Sequence, residues 1–323
     1  MARKRKGRAL SGWLNFDKPE EMSSAQAVNR LRKIFGAQKA GHAGTLDPLA
    51  SGILPIAFGE ATKTVPFLMN AEKTYEFTLC FGATTTTDDR EGEPVETSDM
   101  RPQTSDISAA LPHFIGESEQ VPPAYSALKI DGERAYRRAR AGEDVTLAAR
   151  RIFIEALELV ARPDADHAHL RVKCGKGTYI RALGRDLAAF LGTKGHISAL
   201  RRVQVGPFEE KHAIGLEKCL DLVHIAAQTE ACPADYTALD QLLLPLTTAL
   251  DDIPALPVDE KEAQHLKMGR SVLVTPKHLS AFGSQTEPVL ALQKHAMQND
   301  EPIALGRIQE GRFYPTRVFN LTP

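Results

Sequence analysis

The chain has 323 residues, of which 42% are hydrophobic and 25% are charged. These proportions exclude a disordered or fibrous chain, and the length predicts more than one domain. The net charge of −1 does not favour a nucleic-acid-binding protein, although basic runs at "RKRKGR" and between Lys129 and Arg151 provide local positive charge.

The four cysteines form no CxxC pair and are too sparse for a disulfide-rich secreted domain, so we expect reduced, mostly buried thiols. They are Cys80, Cys174, Cys219 and Cys232. The basic N-terminus leads into "SGWLNFDKP" rather than an apolar run, which argues against a secretory signal. No apolar stretch reaches the roughly 18 residues that cross a bilayer. We therefore expect a cytoplasmic protein.

The first predicted element in the chain is an amphipathic helix in "SSAQAVNRLRKIFG". Ser23 or Ser24 provides its N-cap, and Gly36 provides its end. The glycine-flanked loop "GHAGTLDPLASG" follows, and then a short apolar strand from about Ile53 to Phe58. The alternation in "TYEFTLCFG" has the period of a half-buried strand.

The acidic segment "ATTTTDDREGEPVETSD" lacks apolar periodicity and is predicted to be a loop with solvated Asp88 and Asp89. A short helix near Ile107 to Phe114 and a charged arm at 121–145 follow it. Strands are then predicted in "RIFIEALELV" and "AHLRVKC", and a helix that ends at Gly192 in "GTYIRALGRDLAAFLG". A strand in "LRRVQVGPF" completes this part of the chain.

The last part of the chain has a different character. From His212 to about Asp252 the sequence is helical and loop-like, and "PVDEKEAQHLKMG" predicts a helix that ends at Gly269. Short strands are expected near Val272, Leu290, Ala304 and Arg317. The pattern predicts an α+β protein with a large domain at 1–251 and a small β-rich module at 252–323.

The loop "GHAGTLDPLASGIL" presents one carboxylate in a constrained setting. Pro48 biases Asp47 toward an extended backbone, and Gly41 and Gly44 allow a backbone or a flat ligand to approach closely. On residue types alone, a structural turn is an equally good interpretation. The nearby glycines complete neither GxxxxGK[ST] nor GxGxxG, and no His or Cys set with metal-ligand spacing accompanies Asp47.

The run "GHAGTLDPLASGILPIAFGEATK" resembles the signature of pseudouridine synthases, specifically the TruB-type enzymes that isomerise uridine 55 in the T-arm of tRNA. The resemblance continues in the family's order over roughly residues 11–215, through "LNFDKP", "KTYEFTLCFGATTTTDD", "VPPAYSALKIDGERAYRRAR", "CGKGTYIRALGRDL" and "ALRRVQVGPF". It implies a mixed, mainly antiparallel sheet flanked by helices, followed by a PUA-like module. The chain departs from the family at Glu20 and Glu21, where a glycine usually stands two residues after Lys-Pro.

The resemblance implies a catalytic group of three residues. Asp47 is the carboxylate that attacks C1′, adds to C6 of the base or removes the C2′ proton, and the sequence leaves these three routes open. Tyr179 lies where a phenol reaches the base or transfers a proton. Arg181 pairs with the aspartate and keeps it ionised and oriented.

Four further residues are assigned to substrate binding by the same resemblance. Tyr75 stacks on the flipped base, and Leu200 forms an apolar wall of the pocket. His42 takes the place of flipped bases in the RNA stack. Lys18 supports the active-site loop or contacts phosphate.

The family also implies a reaction without metal or organic cofactor. The arm at 121–145 is expected to clamp the T-loop, and the C-terminal module is expected to contact the acceptor end of the tRNA. We expect a monomer with no obligatory protein partner. Two alternatives remain: an RNA-binding protein that chiefly helps tRNA to fold, and a synthase that depends on guide RNA and partner proteins.

Overall fold

The computed structural model describes residues 7–126, 128–130, 132–228, 236–282, 285–295 and 300–321. The strands are β1 (Gly12–Lys18), β2 (Ala40–His42), β3 (Ser51–Phe58), β4 (Lys73–Phe81), β5 (Ala83–Thr85), β6 (Pro94–Thr97), β7 (Gly116–Gln120), β8 (Lys129–Ile130), β9 (Glu133–Arg134), β10 (Arg150–Ala161), β11 (His167–Cys174), β12 (Gly195–Val205), β13 (Phe208–Glu209), β14 (Ile214–Gly215), β15 (Ala255–Val258), β16 (Val272–Leu273), β17 (Gln285–Gln293), β18 (Glu301–Gln309) and β19 (Arg312–Val318).

The helices complete the element order of the described chain. The α-helices are α1 (Ser24–Ile34), α2 (Val65–Asn70), α3 (Thr104–Ala110), α4 (Ala135–Arg140), α5 (Ile180–Phe190), α6 (Leu216–Gln228), α7 (Thr237–Asp240), α8 (Glu260–Lys267) and α9 (Pro276–Phe282). Short 3-10 helices are present at Gly59–Lys63, Leu111–Phe114, Glu210–His212 and Leu246–Leu250.

Ten of the described strands form one large sheet. Its order is β14-β1-β3-β12-β4-β11-β10-β7, with β2 paired to β3 and β13 paired to β12. The pairs β1–β14 and β3–β12 are parallel, and the remaining pairs are antiparallel. The fold is therefore α+β with a mixed, mainly antiparallel sheet, which confirms the predicted fold class.

The main core lies between this sheet and the helices α1 and α5. Strand β4 buries alternate residues, as its sequence predicts, and Phe77 and Leu79 join Leu31 of α1 and Leu183 of α5 in one apolar cluster. Full burial of such side chains contributes about 1.5–3 kcal/mol each. This core fixes the two helices whose N-terminal ends carry residues of the site described below.

Helix α1 begins and ends as predicted. Ser23 is the N-cap, and its side chain accepts from the amide of Gln26 in a capping box. Gly36 follows the helix with φ +58°, a left-handed conformation that glycine adopts without steric cost. The helix start therefore fixes the end of the short turn Lys18–Ser24, which connects β1 to α1.

The acidic segment after β4 differs from its prediction. It contains the hairpin β5–β6, and Asp88 and Asp89 are not solvated as predicted. The side chain of Asp89 is only 3% exposed and that of Asp88 is 13% exposed, because each lies against an arginine of α5. Buried carboxylates require such partners. A single sequence does not reveal a partner that lies about a hundred residues further along the chain.

The edge strand β7 is a second difference. It reads "GESEQ" and pairs with β10 through residues 116–120. Its side chains show no apolar alternation, because an edge strand with a solvent-exposed surface needs only backbone hydrogen bonds to one neighbour. Hydrophobic periodicity therefore does not reveal it.

A second sheet, in the order β15-β17-β18-β19-β16, occupies the C-terminal part. Strands β17, β18 and β19 lie at three of the four predicted positions, and β16, at the fourth, has only two residues. The sequence pattern does not indicate α9. The sheet packs against the large one through a cluster that includes Trp13, Phe208, Leu305 and Phe319. The domain boundary at residue 251 and the PUA-like assignment stay predictions.

Polar bonds reinforce the contact between the two sheets. Lys63 Nζ donates to the carbonyl of Val318 at 2.7 Å, and Arg317 Nη1 donates to the carbonyl of Lys63. The amide of Asn320 donates to Glu60 Oε2 at 2.7 Å. The 3-10 helix Gly59–Lys63 thus both donates a hydrogen bond to the end of β19 and accepts hydrogen bonds from β19 and from Asn320, which follows it.

Cys174 and Cys219 are buried free thiols and Cys80 is a partly buried one, whereas Cys232 and residues 1–6 lie outside the described residues. Within the described ranges, the helices are all too short or too polar to cross a membrane.

Candidate active site

Five of the predicted site residues meet at one cavity of about 250 Å³. They are Asp47, Tyr75, Tyr179, Arg181 and Leu200. These residues come from four separate segments of the chain, so the fold alone brings them together. Lys73 and Arg202 also line the cavity, whereas Lys18 and His42 do not.

Asp47 is paired with a buried arginine. Arg181 Nη2 lies 2.9 Å from Asp47 Oδ2, and the arginine side chain is only 5% exposed while that of Asp47 is 37% exposed. The carboxylate therefore faces the cavity and the guanidinium lies behind it. A fixed positive charge at this distance favours the ionised, oriented form of a carboxylate.

The Arg181 guanidinium is held by several other groups. Nη1 lies 3.4 Å from Asp89 Oδ2 and donates to the carbonyl of Thr87 at 2.9 Å. Nη2 also donates to the carbonyl of Tyr125 at 2.9 Å. Asp89 Oδ1 in turn accepts from the amide of Glu91 at 3.0 Å. The arginine therefore has little freedom to move away from Asp47.

Both chain neighbours of Asp47 are bonded to the turn Lys18–Ser24. Ser24 Oγ accepts from the amide of Leu46 and donates to its carbonyl, both at 2.9 Å. The carbonyl of Pro48 accepts from the amide of Glu21 at 2.9 Å and from Lys18 Nζ at 3.3 Å. The backbone is thus fixed on either side of the carboxylate, which leaves its side-chain torsions as the remaining freedom.

Lys18 is fully buried beneath this loop. Its ammonium donates to the carbonyls of Pro19 and Met22 at 2.7 Å, besides that of Pro48. Burial lowers the pKa of Lys18 to about 8, and the charge of Asp47 opposes the shift. Of the two roles expected from the sequence, these contacts correspond to support of the loop.

Arg202 holds the other side of the loop that contains Asp47. It is 1% exposed, with Nε donating to the carbonyl of Ile53 at 2.7 Å and Nη2 donating to the carbonyl of Gly44 at 3.0 Å. One rigid guanidinium thereby spans the loop that contains Asp47. Arg202 lies two residues after Leu200 in β12, and both side chains line the cavity face of the strand.

The two tyrosines are held differently. Tyr75 is 8% exposed in β4, with the Arg202 guanidinium carbon 5.9 Å from its ring centroid. Tyr179 immediately precedes α5, and its amide and carbonyl are both bonded to the buried side chain of Gln120, at 2.9 and 3.1 Å. Burial raises the pKa of both phenols, so each is protonated near neutral pH. Gln120 is a supporting residue that the motifs do not indicate.

Lys73 forms a cationic edge of the cavity. Its ammonium, in a side chain that is almost fully buried, donates to the carbonyls of Met69 and Ala71 at the end of α2, at 3.1 and 2.5 Å. Burial lowers its pKa to about 8, and the charge of Arg202 acts in the same direction. The ammonium thus binds the carbonyl groups at the C-terminal end of α2, where the helix dipole favours a positive charge, and holds this end of the helix at the cavity wall.

His42 lies apart from this group. It is in β2, opposite Ile56 of β3, and its Nδ1 is buried without a hydrogen-bond partner among the described residues. Burial lowers its pKa, and Arg202 adds to the shift. The ring is therefore neutral near pH 7, and its expected role in the RNA stack stays a prediction.

No three His, Cys, Asp or Glu side chains in the described parts of the chain converge to hold a metal ion. The cavity is lined by one carboxylate with its paired guanidinium, two phenols and an apolar wall. Such a set supports nucleophilic attack or proton transfer at a flat ligand that enters from solvent.

Two sequence profiles match adjacent parts of the chain. The profile described as TruB family pseudouridylate synthase (N terminal domain) matches residues 32–180, and that of the tRNA pseudouridylate synthase B C-terminal domain matches residues 181–251. Together they cover more than half of the sequence. The six predicted site residues other than Lys18 fall within these ranges.

Full-length relatives are similar to the whole chain. A tRNA pseudouridine synthase B of Caulobacter vibrioides is 51% identical over 322 residues, covering 100% of both chains. Proteins of the same name from Dinoroseobacter shibae and Brucella ovis are 48% and 46% identical, each covering 99% of this chain and at least 98% of the relative.

Two solved structures share the fold. A chain in the crystal structure of a Cbf5-Nop10-Gar1 complex is 24% identical, with a TM-score of 0.69 over 96% of this chain and 84% of that chain. A chain in an H/ACA RNP bound to a substrate RNA containing 2′-deoxyuridine is 20% identical, with a TM-score of 0.70 over 99% and 92%.

Proposed function

Since the chain belongs to the TruB family of pseudouridylate synthases, we propose that it isomerises uridine 55 to pseudouridine in the T-arm loop of tRNAs. The reaction breaks the bond between C1′ and N1, turns the uracil and forms a bond between C1′ and C5. The hydrogen on C5 is released to solvent. The step is an isomerisation and involves no net redox change.

The observation that carries the proposal is the pairing of Asp47 with buried Arg181 at the edge of the cavity that contains Tyr75, Tyr179 and Leu200. One base must leave the RNA stack to reach such a cavity, and the lost stacking must be replaced. The ring of Tyr75 and the side chain of Leu200 provide the apolar surfaces for a flipped uracil. Asp47 is the acidic side chain among the described residues that line this cavity.

In this proposal Asp47 acts on the sugar or on the base. It attacks C1′, adds to C6 or removes the C2′ proton, and the loop geometry supports each route because the backbone at Leu46 and Pro48 is fixed. Tyr179, kept protonated by its raised pKa, donates a hydrogen bond to the base or relays the C5 proton. Arg181 orients the carboxylate.

We assign RNA binding outside the cavity to two regions. The arm at 121–145 carries arginines on β9 and α4 and clamps the T-loop, and the sheet at 255–318 contacts the acceptor end of the tRNA as a PUA-like module. Tyr125 belongs to the base of the arm, and its carbonyl accepts from Arg181, so the arm begins at the catalytic group. The enzyme acts in the cytoplasm as a monomer without an obligatory protein partner.

The test is release of tritium from a tRNA transcript labelled at C5 of uridine, with purified protein and its Asp47→Asn variant. The parent is expected to release tritium and the variant none, while both bind the transcript, because the amide keeps the shape but not the charge of the carboxylate. A transcript with cytidine at position 55 then tests the site, since it cannot release label from that position.

Three outcomes contradict parts of the proposal. Normal turnover by Asp47→Asn removes the catalytic assignment of Asp47. An inactive parent that binds and refolds tRNA supports the alternative of a folding helper. Activity that appears only when guide RNA or protein partners are added supports the partner-dependent alternative.

A further inference from the structure

The turn Lys18–Ser24 contains a residue in a backbone conformation that favours glycine. Glu21 has φ +62°, in the left-handed region where a Cβ crowds the following carbonyl. Its amide donates to the carbonyl of Pro48 at 2.9 Å, so the strained residue provides a bond next to Asp47. A conformation of this kind persists only where surrounding contacts impose it.

One such contact comes from outside the turn. Glu20 Oε2 accepts from Arg90 Nη2 at 2.6 Å, and Nη1 of the same guanidinium donates to the carbonyl of Ser198 at 3.2 Å. The amide of Arg90 donates to the carbonyl of Ile197 at 2.9 Å. Arg90 is therefore fixed to β12 by its backbone and its side chain, and Glu20 is tied through it to the large sheet.

The ion pair also connects the segment that contains Asp89 with the turn that supports the loop of Asp47. Arg90 directly follows Asp89, whose carboxylate lies 3.4 Å from Arg181, and Glu20 lies in the turn bonded to both neighbours of Asp47. The two side chains are 44% and 43% exposed. Pairs as exposed as this contribute little to global stability, so an effect on local geometry is expected to appear in turnover rather than in folding.

We propose that Glu20 and Arg90 form a positioning pair for Asp47. The pair holds the turn in the conformation that directs the Glu21 amide onto Pro48, and so fixes the loop that carries the carboxylate. This inference rests on the proposed function, because it requires Asp47 to be the catalytic group. It assigns a role in catalysis to two side chains that do not touch the substrate.

The test measures kcat and KM for tritium release with the parent, Arg90→Ala, Glu21→Gly and the double variant. Arg90→Ala is expected to lower kcat about three- to tenfold with KM nearly constant, because displacement of a catalytic group affects the chemical step. Glycine at position 21 retains the amide and relaxes the backbone. In that background, the same Arg90→Ala change should therefore lower kcat less than about twofold.

A charge exchange and a matched control complete the design. Glu20→Arg combined with Arg90→Glu is expected to recover most of the kcat that each single reversal loses, since only an ion pair tolerates the exchange. Arg171→Ala removes an arginine–carboxylate pair with Glu76 of similar exposure, 52% and 42%, and should keep the parental kcat. Circular dichroism and thermal unfolding verify that each variant is folded.

The inference is overturned if Arg90→Ala retains the parental kcat, if its effect is equal in both backgrounds, or if KM alone changes. The last result would instead indicate that Arg90 contacts the RNA. An inactive parent overturns the proposed function together with this inference, whereas an active parent with an unaffected Arg90→Ala variant overturns the inference alone.

Discussion

Asp47 and Asp89 share one buried guanidinium: Arg181 lies 2.9 Å from the first carboxylate through Nη2 and 3.4 Å from the second through Nη1. Loss of the Asp89 charge leaves Asp47 as the remaining anionic partner in this pair of contacts, and the arginine is expected to shift toward it. We predict that Asp89→Asn lowers kcat about ten- to hundredfold with little change in KM. Steady-state tritium release over a range of RNA concentrations measures both constants, and a kcat within about twofold of the parent would contradict the prediction.

Arg202→Lys should reduce turnover without preventing folding. A lysine keeps the charge, but its single ammonium cannot reach the carbonyls of Gly44 and Ile53 together. We predict a fall in kcat of about tenfold and a lower Tm. Arg201→Lys, at a partly exposed arginine paired with Asp17 and Glu210, is the control. Equal kcat values for the two variants would show that the contacts of Arg202 have no catalytic effect.

Ser24→Ala tests the other side of the loop. The change removes the only side-chain oxygen bonded to Leu46 in the described structure and leaves a buried amide without a partner. We predict a loss of about 1–3 kcal/mol in the free energy of unfolding, measured in urea, and a lower kcat. Asp259→Ala removes the N-cap of α8, which packs against the second sheet. This control should lower the free energy of unfolding by about 1 kcal/mol and leave kcat unchanged. A normal kcat for Ser24→Ala would contradict the positioning argument.

Lys73 should make stability depend on pH in the alkaline range. Its pKa falls from the ordinary 10.5 to about 8 in the folded protein, because of burial. Between these values the unfolded chain binds the proton and the folded chain does not, so stability rises with pH. Relative to Lys73→Met, the parent is predicted to gain about 1.5 kcal/mol between pH 8 and 9.5. Urea unfolding at both pH values measures the gain, and a constant difference would refute it.

Local patterns were sufficient for much of the fold. The capping residues and Gly36 predict α1, the alternation in β4 predicts its buried face, and the apolar spacing predicts α5, because each depends on residues close together in the sequence. The edge strand β7 and the hairpin β5–β6 do not follow from such patterns. Their stability depends on backbone pairing with partners that the local sequence does not specify.

The site shows the same division. Asp47, Tyr75, Tyr179, Arg181 and Leu200 could be named from motifs, and the structure places them around one cavity. Arg202, Asp89 and Gln120 could not, since each acts through contacts with distant backbone or side chains. A buried arginine in a strand and an exposed one have the same letter, and only the packed sheet distinguishes them.

The bonds that hold Leu46 and Pro48 also have an entropic consequence. Ordering the backbone of one residue costs about 1–2 kcal/mol, and a loop ordered only when RNA binds would draw that cost from the binding energy. Here the cost is met when the chain folds, by Ser24, Glu21 and Lys18. The free energy of RNA binding therefore remains available to move the target base out of the RNA stack, a step that itself costs free energy.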